Sequence, residues 1–360
     1  MKGTINENFG LRDQLLQVMI DNEGSDMYIT VGSYPAIKIN SEIVFIDEGI
    51  EKLEQGDTIK FSQALITEKQ HDFLIKNKNL DFAFTYSNRR FRTNISFQMG
   101  IYMIVIRLLG NKVPEIDDLG LPDIYKNITK FGQGLVLVTG PTGSGKTTTL
   151  ASMINYINTN YSKHIITIED PVEYIHEHKK SIVEQKEIGK DVDDYETALA
   201  GAMRQNPQVI LFGEMRTTQE MEMALTLAET GHLVFSTLHT RGAYQTISRI
   251  IDSFESGQQN QIRLQLADSL IGIFSQRLLR LSNGSGVKMV KEILIRNTAI
   301  INLIRENDIH QIPSIIQMSS RDGMQILEKD IIDLINGDLI TLEEGLKYAN
   351  NPKIIQEGLK

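Results

Sequence analysis

Gly140-Pro141-Thr142-Gly143-Ser144-Gly145-Lys146-Thr147 decides how the rest of this chain is read. The stretch fits G-x-x-x-x-G-K-[ST], a pattern whose backbone cradles phosphate. Gly134 to Thr139 precede it as an apolar, β-branched run that reads as a buried strand. Thr148 to Tyr156 come next with a helical pattern. Strand, glycine loop and helix form the context in which the motif has a mechanism. Glycines let the backbone curl so that successive N–H groups point inward at phosphate oxygens. The loop ends at a helix N-terminus, where unpaired N–H groups and the dipole favour an anion. Gly140, Pro141, Thr142, Gly143, Ser144, Gly145, Lys146, Thr147 and Thr148 are therefore expected to hold nucleotide phosphates. Lys146 is placed to reach the β- and γ-phosphates, and the Thr147 hydroxyl to ligate Mg²⁺. A glycine-rich turn with a chance lysine would lack these flanks.

The chain has 360 residues, enough for two domains or one large one. It has no cysteine, which excludes disulfides and thiolate zinc sites. Residues 1–10 lack the basic-then-apolar pattern of a signal peptide, and no apolar run approaches the length of a membrane span, so a cytoplasmic location is the default. The formal net charge of −9 argues against a broad nucleic-acid footprint, although a local basic groove is compatible with it.

Outward from the loop, short apolar runs at Ile165–Ile168, Val209–Phe212 and Leu233–Thr237 alternate with helical patterns, the rhythm of parallel strands covered on both faces. Thr217-Thr218-Gln219-Glu220 is a capping box, and Met221, Ala224, Leu225 and Ala228 form one helix face behind it. Gln261 to Arg280 reads as a further helix with Leu266, Leu270, Ile273, Phe274 and Leu278 on one side, and Thr298 to Asn350 reads as a helical appendage. Ahead of the loop, Phe9–Asp21 and Phe61–Lys76 read as helices, and Met27–Val31, Ala36–Phe45, Leu80–Tyr86 and Phe91–Leu108 as strands. That mixture predicts a small α+β domain over residues 1–110, a linker over 111–125, and an α/β domain over 126–360 whose helical tail starts near 298.

Polar residues at the ends of these strands carry the chemistry. Glu169, Asp170 and Glu173 come after the strand Ile165–Ile168, at the edge that faces the ligand crevice in open α/β sheets. Such a carboxylate holds Mg²⁺ through water or orients the attacking water; a solvated acidic loop is the plain alternative. Val209–Phe212 succeeded by Gly213-Glu214 is an apolar strand ending in an acid, which makes Glu214 the candidate metal-associated carboxylate. His232 and His239 bracket the strand between them and suit a sensor or relay role at one sheet edge; no third ligand makes them a metal site. Arg90 and Arg92 stand two apart on a strand and so share a face, with Arg107 in the same domain. They fit either phosphate contact, an acid-lined interface, or a solvated strand edge.

Taken in order, Gly140–Thr148, Ile168-Glu169-Asp170-Pro171-Val172-Glu173, Gly213-Glu214-Met215-Arg216, Glu229-Thr230-Gly231-His232 and Thr237-Leu238-His239 resemble the Walker A, Asp box, Walker B and His box of the bacterial secretion and type IV pilus ATPase superfamily. The resemblance runs from Gly24-Ser25-Asp26 to Gly323-Met324-Gln325. Length, the lack of a tetracysteine insert and the tail Ala299-Ile300-Ile301-Asn302-Leu303-Ile304-Arg305-Glu306 point to its pilus-retraction (twitching motility) branch. An accessory retraction ATPase is the near alternative, and a nucleic-acid translocase the rival from another class.

The resemblance implies an α/β fold: a RecA-like P-loop ATPase core, a PAS-like α+β domain in front, and a C-terminal helical appendage. It implies a homohexameric ring that hydrolyses ATP with Mg²⁺, each nucleotide lying between domains and sealed by a neighbouring subunit. The implied partners are an inner-membrane platform protein at the pilus base and a paralogous retraction ATPase, with no nucleic acid and no transmembrane segment; the implied place is the cytoplasmic face of that membrane. By the same resemblance Lys146 is the Walker lysine, Glu214 the Walker B glutamate, Glu173 the general base, and His232 and His239 the His-box pair. Arg90, Arg92 and Arg107 match arginines that reach nucleotide, some from across the subunit interface. The chain departs from the family pattern at Ile301, where arginine is usual, and at Gln205, Asn206 and Gln208, where acids are usual. Tyr28 and Lys38 also stand where histidine and arginine are more common.

Overall fold

The computed structural model describes residues 10–39, 42–110, 112–284 and 286–359. The readings made for residues 1–9, and for Asn111 at the head of the linker, lie outside the described residues. The chain divides into two compact units, one of residues up to Lys112 together with Asp170–Ile175, the other of Val113–Glu169 and His176 onward.

The first unit contains α1(Leu11–Asp21), β1(Asp26–Ile29), β2(Ala36–Ile39), β3(Glu42–Phe45), α2(Gln55–Gln63), α3(Glu68–Asn77), β4(Asn79–Tyr86), β5(Arg89–Gln98) and β6(Ile101–Leu108). Its antiparallel sheet runs β3-β2-β1-β6-β5-β4. Leu15, Leu16 and Met19 recur at helical spacing on α1 and are buried with Met27, Phe91, Ile95 and Ile104 of the strands. Three elements differ from the sequence reading. The run 36–45 is two strands paired from Ala36↔Phe45 to Ile39↔Glu42. The run 91–108 is a hairpin, because Met99 (φ 53°) and Gly100 (φ 80°) reverse the chain in the left-handed region that two-residue hairpins need. The run 61–76 is broken where the Thr67 hydroxyl accepts from the Gln70 N–H and starts a new helix.

The second unit contains α4(Ile124–Ile128), β7(Gly134–Thr139), α5(Lys146–Asn160), β8(His164–Glu169), β9(Ile182–Glu187), α6(Tyr195–Ala202), β10(Val209–Phe212), α7(Thr218–Glu229), β11(Leu233–Leu238), α8(Ala243–Asp252), α9(Gln259–Ser269), β12(Leu270–Arg280), β13(Val287–Ile295), α10(Thr298–Arg305), α11(Ile312–Met318), α12(Leu327–Asn336), α13(Leu342–Tyr348) and α14(Pro352–Gly358). Its sheet runs β13-β12-β7-β11-β10-β8-β9. Every neighbouring pair is parallel except the edge pair β12–β13. Alternate residues of the central strands enter two different cores. Leu135, Leu137, Ile166, Ile168, Ile210 and Phe212 face one core, built with α6–α9. Val136, Val138, Ile165, Val209 and Leu211 face the other, built with α4 and α5. Both faces are therefore covered, as continuous apolar strands require. Helices α12 and α14 bury Leu327, Ile331 and Ile355 against Leu279 and Val290 of the β12–β13 hairpin. Among the described residues no helix is long and apolar enough to cross a membrane.

The reading of Gln261–Arg280 as one helix is corrected: α9 ends at Ser269 and Leu270–Arg280 is strand β12, parallel to β7. Strands β9 and β13 had no counterpart in the sequence reading.

Candidate active site

Parallel pairing places the carboxyl ends of β7, β8, β10 and β11 along one edge, so the residues just beyond each strand are gathered there. Backbone hydrogen bonds pin the strand ends to one another. The Gly140 N–H donates to Leu238 O (3.2 Å), Gly213 N–H to Ile168 O (2.9 Å), and Met215 N–H to Thr237 O (3.0 Å). The Thr237 hydroxyl donates to Gly213 O at 2.8 Å.

The glycine loop fits as its sequence demands. Gly140 (φ 145°), Gly143 (φ 76°) and Gly145 (φ 86°) occupy backbone conformations that side chains disfavour. At Gly140 a Cβ would also stand 2.3 Å from the Gln276 carbonyl oxygen, so the position excludes any larger residue. Helix α5 starts at Lys146, directly behind the loop.

Lys146 Nζ donates to Gly140 O (2.9 Å) and Pro141 O (3.1 Å) and lies 3.4 Å from His239 Nδ1. Burial pushes its pKa down, and the Glu214 carboxylate partly opposes that shift. On the other side of the ring, His239 Nε2 lies 3.0 Å from Glu214 Oε1. With Lys146 as an ammonium, which only donates, the tautomer that satisfies both contacts is the one with its proton on Nε2, toward Glu214. Arg216 Nε donates to the second carboxylate oxygen of Glu214 at 2.9 Å. Lys146, His239, Glu214 and Arg216 thus form one chain of contacts across the ends of β7, β11 and β10.

In the first unit, Arg90 and Arg92 of β5 share a face and meet the same partner, the segment 170–175. Arg90 is buried, and its Nε donates to Val172 O at 3.0 Å. Arg92 Nη1 lies 3.6 Å from Glu173 Oε1. Arg107, paired in register with Arg92, donates from Nε to Asp26 Oδ1 at 2.8 Å. The two cations of one strand face are therefore met by a carboxylate and a carbonyl of a segment far away in sequence.

His232 is a correction. The sequence reading set both histidines at one sheet edge, but they flank opposite ends of the six-residue β11, about 23 Å apart at ~3.3 Å per residue. His232 Nδ1 lies 3.1 Å from Leu227 O at the end of α7, and its carbonyl accepts from the Gly134 N–H at the start of β7. His232 is outside the constellation that holds His239.

The departures from the family pattern also find places. Gln208 Oε1 accepts from the His164 N–H (2.8 Å), and Gln205 Oε1 accepts from Lys186 Nζ (2.7 Å). Both lie at the amino ends of β8 and β10, the edge remote from the glycine loop. Ile301 packs against the larger core. Gln276 of β12, whose amide touches the loop at Ser144 and helix α5 at Thr149, was missed because its stretch read as a helix.

A glycine loop running from a central parallel strand into a helix, with a lysine, a histidine and a Walker-type acid meeting beside it, defines a P-loop ATPase. The family model described as "Type II/IV secretion system protein" matches residues 73–325. A twitching motility protein of Neisseria gonorrhoeae is 40% identical over 319 residues, covering 88% of this chain and 84% of its own. The type IV pilus retraction ATPase PilT of Pseudomonas aeruginosa is 38% identical over 341 residues, covering 94% of this chain and 98% of its own. A crystal structure of the pilus retraction motor PilT with bound ADP superposes with a TM-score of 0.90 at 43% identity, covering 97% of this chain and 99% of that one. The chain belongs to the type II/IV secretion system protein family and is an ATPase of its pilus-retraction branch.

Proposed function

We propose that the chain binds ATP on residues 140–148 and, as a homohexamer, converts its hydrolysis into withdrawal of a type IV pilus. The observation that carries this reading is the meeting of Lys146, His239 and Glu214 at the glycine loop. Lys146 exchanges its contacts with Gly140 O and Pro141 O for the β- and γ-phosphate oxygens. His239 links that lysine to Glu214 and reports phosphate occupancy to the end of β11.

Thr147 and Glu214 supply a hydroxyl and a carboxylate, the oxygen donors that suit a hard cation, and would hold Mg²⁺ together with phosphate oxygens and water. When bound, that ion neutralises charge on the β- and γ-phosphates. Glu173 orients or deprotonates the attacking water. Arg90, Arg92 and Arg107 neutralise charge at the γ-phosphate, a role worth ~10³–10⁵ in rate where arginines play it. For Arg92 and Arg107 this entails leaving Glu173 and Asp26. His232 is assigned no step in this protomer.

The work is delivered to an inner-membrane platform protein at the pilus base, from the cytoplasmic side, with a paralogous retraction ATPase as a further partner. Deletion of the gene tests the reading. The expected cell carries excess pili and does not twitch, and Lys146→Ala fails to restore movement. Bald cells would mean extension, and purified protein whose ATPase is stimulated by nucleic acid in a salt-sensitive way would mean a translocase.

A further inference from the structure

Strand β12 brings a buried amide against the glycine loop. Ser275 is the register partner of Thr139, the last residue of β7, and their hydroxyl oxygens lie 2.7 Å apart. Gln276 therefore stands level with the first residue of the loop. The residue is 1% exposed, and its side chain uses both ends of the amide. Nε2 donates to the Ser144 carbonyl at 2.8 Å, and Oε1 accepts from the Thr149 hydroxyl at 3.0 Å. Thr149 is itself fully buried one turn into α5. Glycine at 145 favours this approach: its φ of 86° disfavours a side chain, and a Cβ there would stand 3.3 Å from Gln276 Nε2.

The consequence lies in the geometry of a trans peptide, whose C=O and N–H point in opposite directions. Tying the Ser144 carbonyl back to β12 turns the Gly145 N–H away from β12, into the concave side of the loop. The same contact keeps a carbonyl oxygen, a repulsive neighbour for an anion, out of that concavity. A flipped Ser144–Gly145 peptide would remove one donor and add one acceptor where phosphate is to bind.

We propose that Gln276 is a positioning residue for the nucleotide phosphates, clamping the Ser144–Gly145 peptide in its anion-binding orientation while anchoring Thr149 of α5. This rests on the reading of residues 140–148 as the nucleotide site. The clamp needs a donor and an acceptor on one planar group of this length. Glutamate keeps the shape and the acceptor for Thr149 but sets a second oxygen against the Ser144 carbonyl. Leucine keeps neither bond. The two variants therefore separate the clamp from mere support of the fold.

The test uses the full chain in its assembled form, with a fluorescent ADP analogue for affinity, steady-state ATP hydrolysis, and thermal melting. Gln276→Glu and Gln276→Leu are each expected to raise the dissociation constant and KM at least tenfold, with kcat within about threefold, because the clamp acts on bound phosphate in ground and transition states alike. Melting should fall less for Gln276→Glu than for Gln276→Leu, although both lose affinity. Ser275→Ala, which breaks a neighbouring bond of the same strand, should bind normally. Thr149→Val should add little on top of Gln276→Leu, since the shared bond is already gone. If wild type binds the analogue and both Gln276 variants bind within twofold of it, the clamp is refuted. It is refuted equally if affinity merely follows melting temperature across all the variants. If Gln276→Leu does not fold, Gln276→Glu decides by the same criteria. A wild-type chain that fails to bind the analogue overturns the nucleotide site and the clamp with it.

Discussion

Glu214 is held from two sides, by His239 Nε2 and by Arg216 Nε, whereas Glu173 faces Arg92 on a segment that belongs to the other compact unit. In the proposed reading Glu214 has an electrostatic and metal-binding task and Glu173 a proton-accepting one, reached once Arg92 leaves it. Glu173→Gln is expected to leave nucleotide affinity within about twofold and to lower turnover by ~10²–10⁴, the range of a general base. Glu214→Gln should also stop turnover, but with partial recovery as Mg²⁺ is raised; reversal of the two patterns would exchange the roles. A second residue-scale case is Glu292 of β13. It is buried, accepts from the Ala243 N–H at 2.6 Å and from Asn350 Nδ2 at 3.2 Å, and stands with Arg277 and Glu328. Burial raises its pKa above the usual carboxylate range, opposed chiefly by the Ala243 N–H. A raised carboxyl pKa means the fold binds that proton more tightly than the unfolded chain. The stability it contributes is complete below its ordinary value of 4.5 and is lost as pH rises through the higher folded value. The stability difference between wild type and Glu292→Gln should therefore shift in favour of wild type as pH falls toward 4.5. Denaturant titrations at several pH values read this directly, and a difference independent of pH would contradict it.

At the scale of elements, helix α7 shows how far a local signal carries. The Thr217 hydroxyl accepts from the Glu220 N–H at 3.2 Å, and Glu220 Oε2 accepts from the N–H groups of Thr217 (2.9 Å) and Arg216 (2.6 Å). The capping box read from four residues is present, and it also anchors the loop that presents Glu214. Thr217→Ala is expected to cost about 1 kcal/mol of stability, measured by denaturant unfolding, and to reduce turnover through the loosened 213–217 loop. Strand β12 shows the opposite case. Leu270, Ile273, Phe274 and Leu279 are buried, and so are Ser275, Gln276 and Arg277 between them. A strand enclosed on both faces shows no alternation, so its run of apolar residues satisfies a helical period equally well. Its pairing with β7, some 130 positions away in the register Ser275↔Thr139, is a long-range fact that no local window contains. Gln276 was lost to view for the same reason.

For the molecule as a whole, nucleotide and stability are linked, because a ligand that binds only the folded state adds its binding free energy to the fold. ADP at a hundred times its dissociation constant is expected to stabilise the second unit by ~2.7 kcal/mol, seen as a rise of several degrees in its calorimetric melting transition. Lys146→Ala should abolish most of that rise, and an equal rise in the variant would remove Lys146 from the site. The sequence by itself determined the glycine loop, its flanking strand and helix, the capped α7, and the acids and histidines that end the strands. Each rests on short-range causes: a positive φ that needs glycine, a dipole at a helix start, a side chain within reach of its own backbone. Only the tertiary structure decided which of these meet. Parallel pairing brought His239 to Lys146 and Glu214 and carried His232 to the far edge. The antiparallel sheet of the first unit set Arg90 and Arg92 against Val172 and Glu173 from a distant segment. Burial of β12 beside β7 put an unanticipated amide on the loop. The physical reason is that pairing register and burial depend on residues from tens to more than a hundred positions apart, whereas caps, turns and glycine loops depend on neighbours.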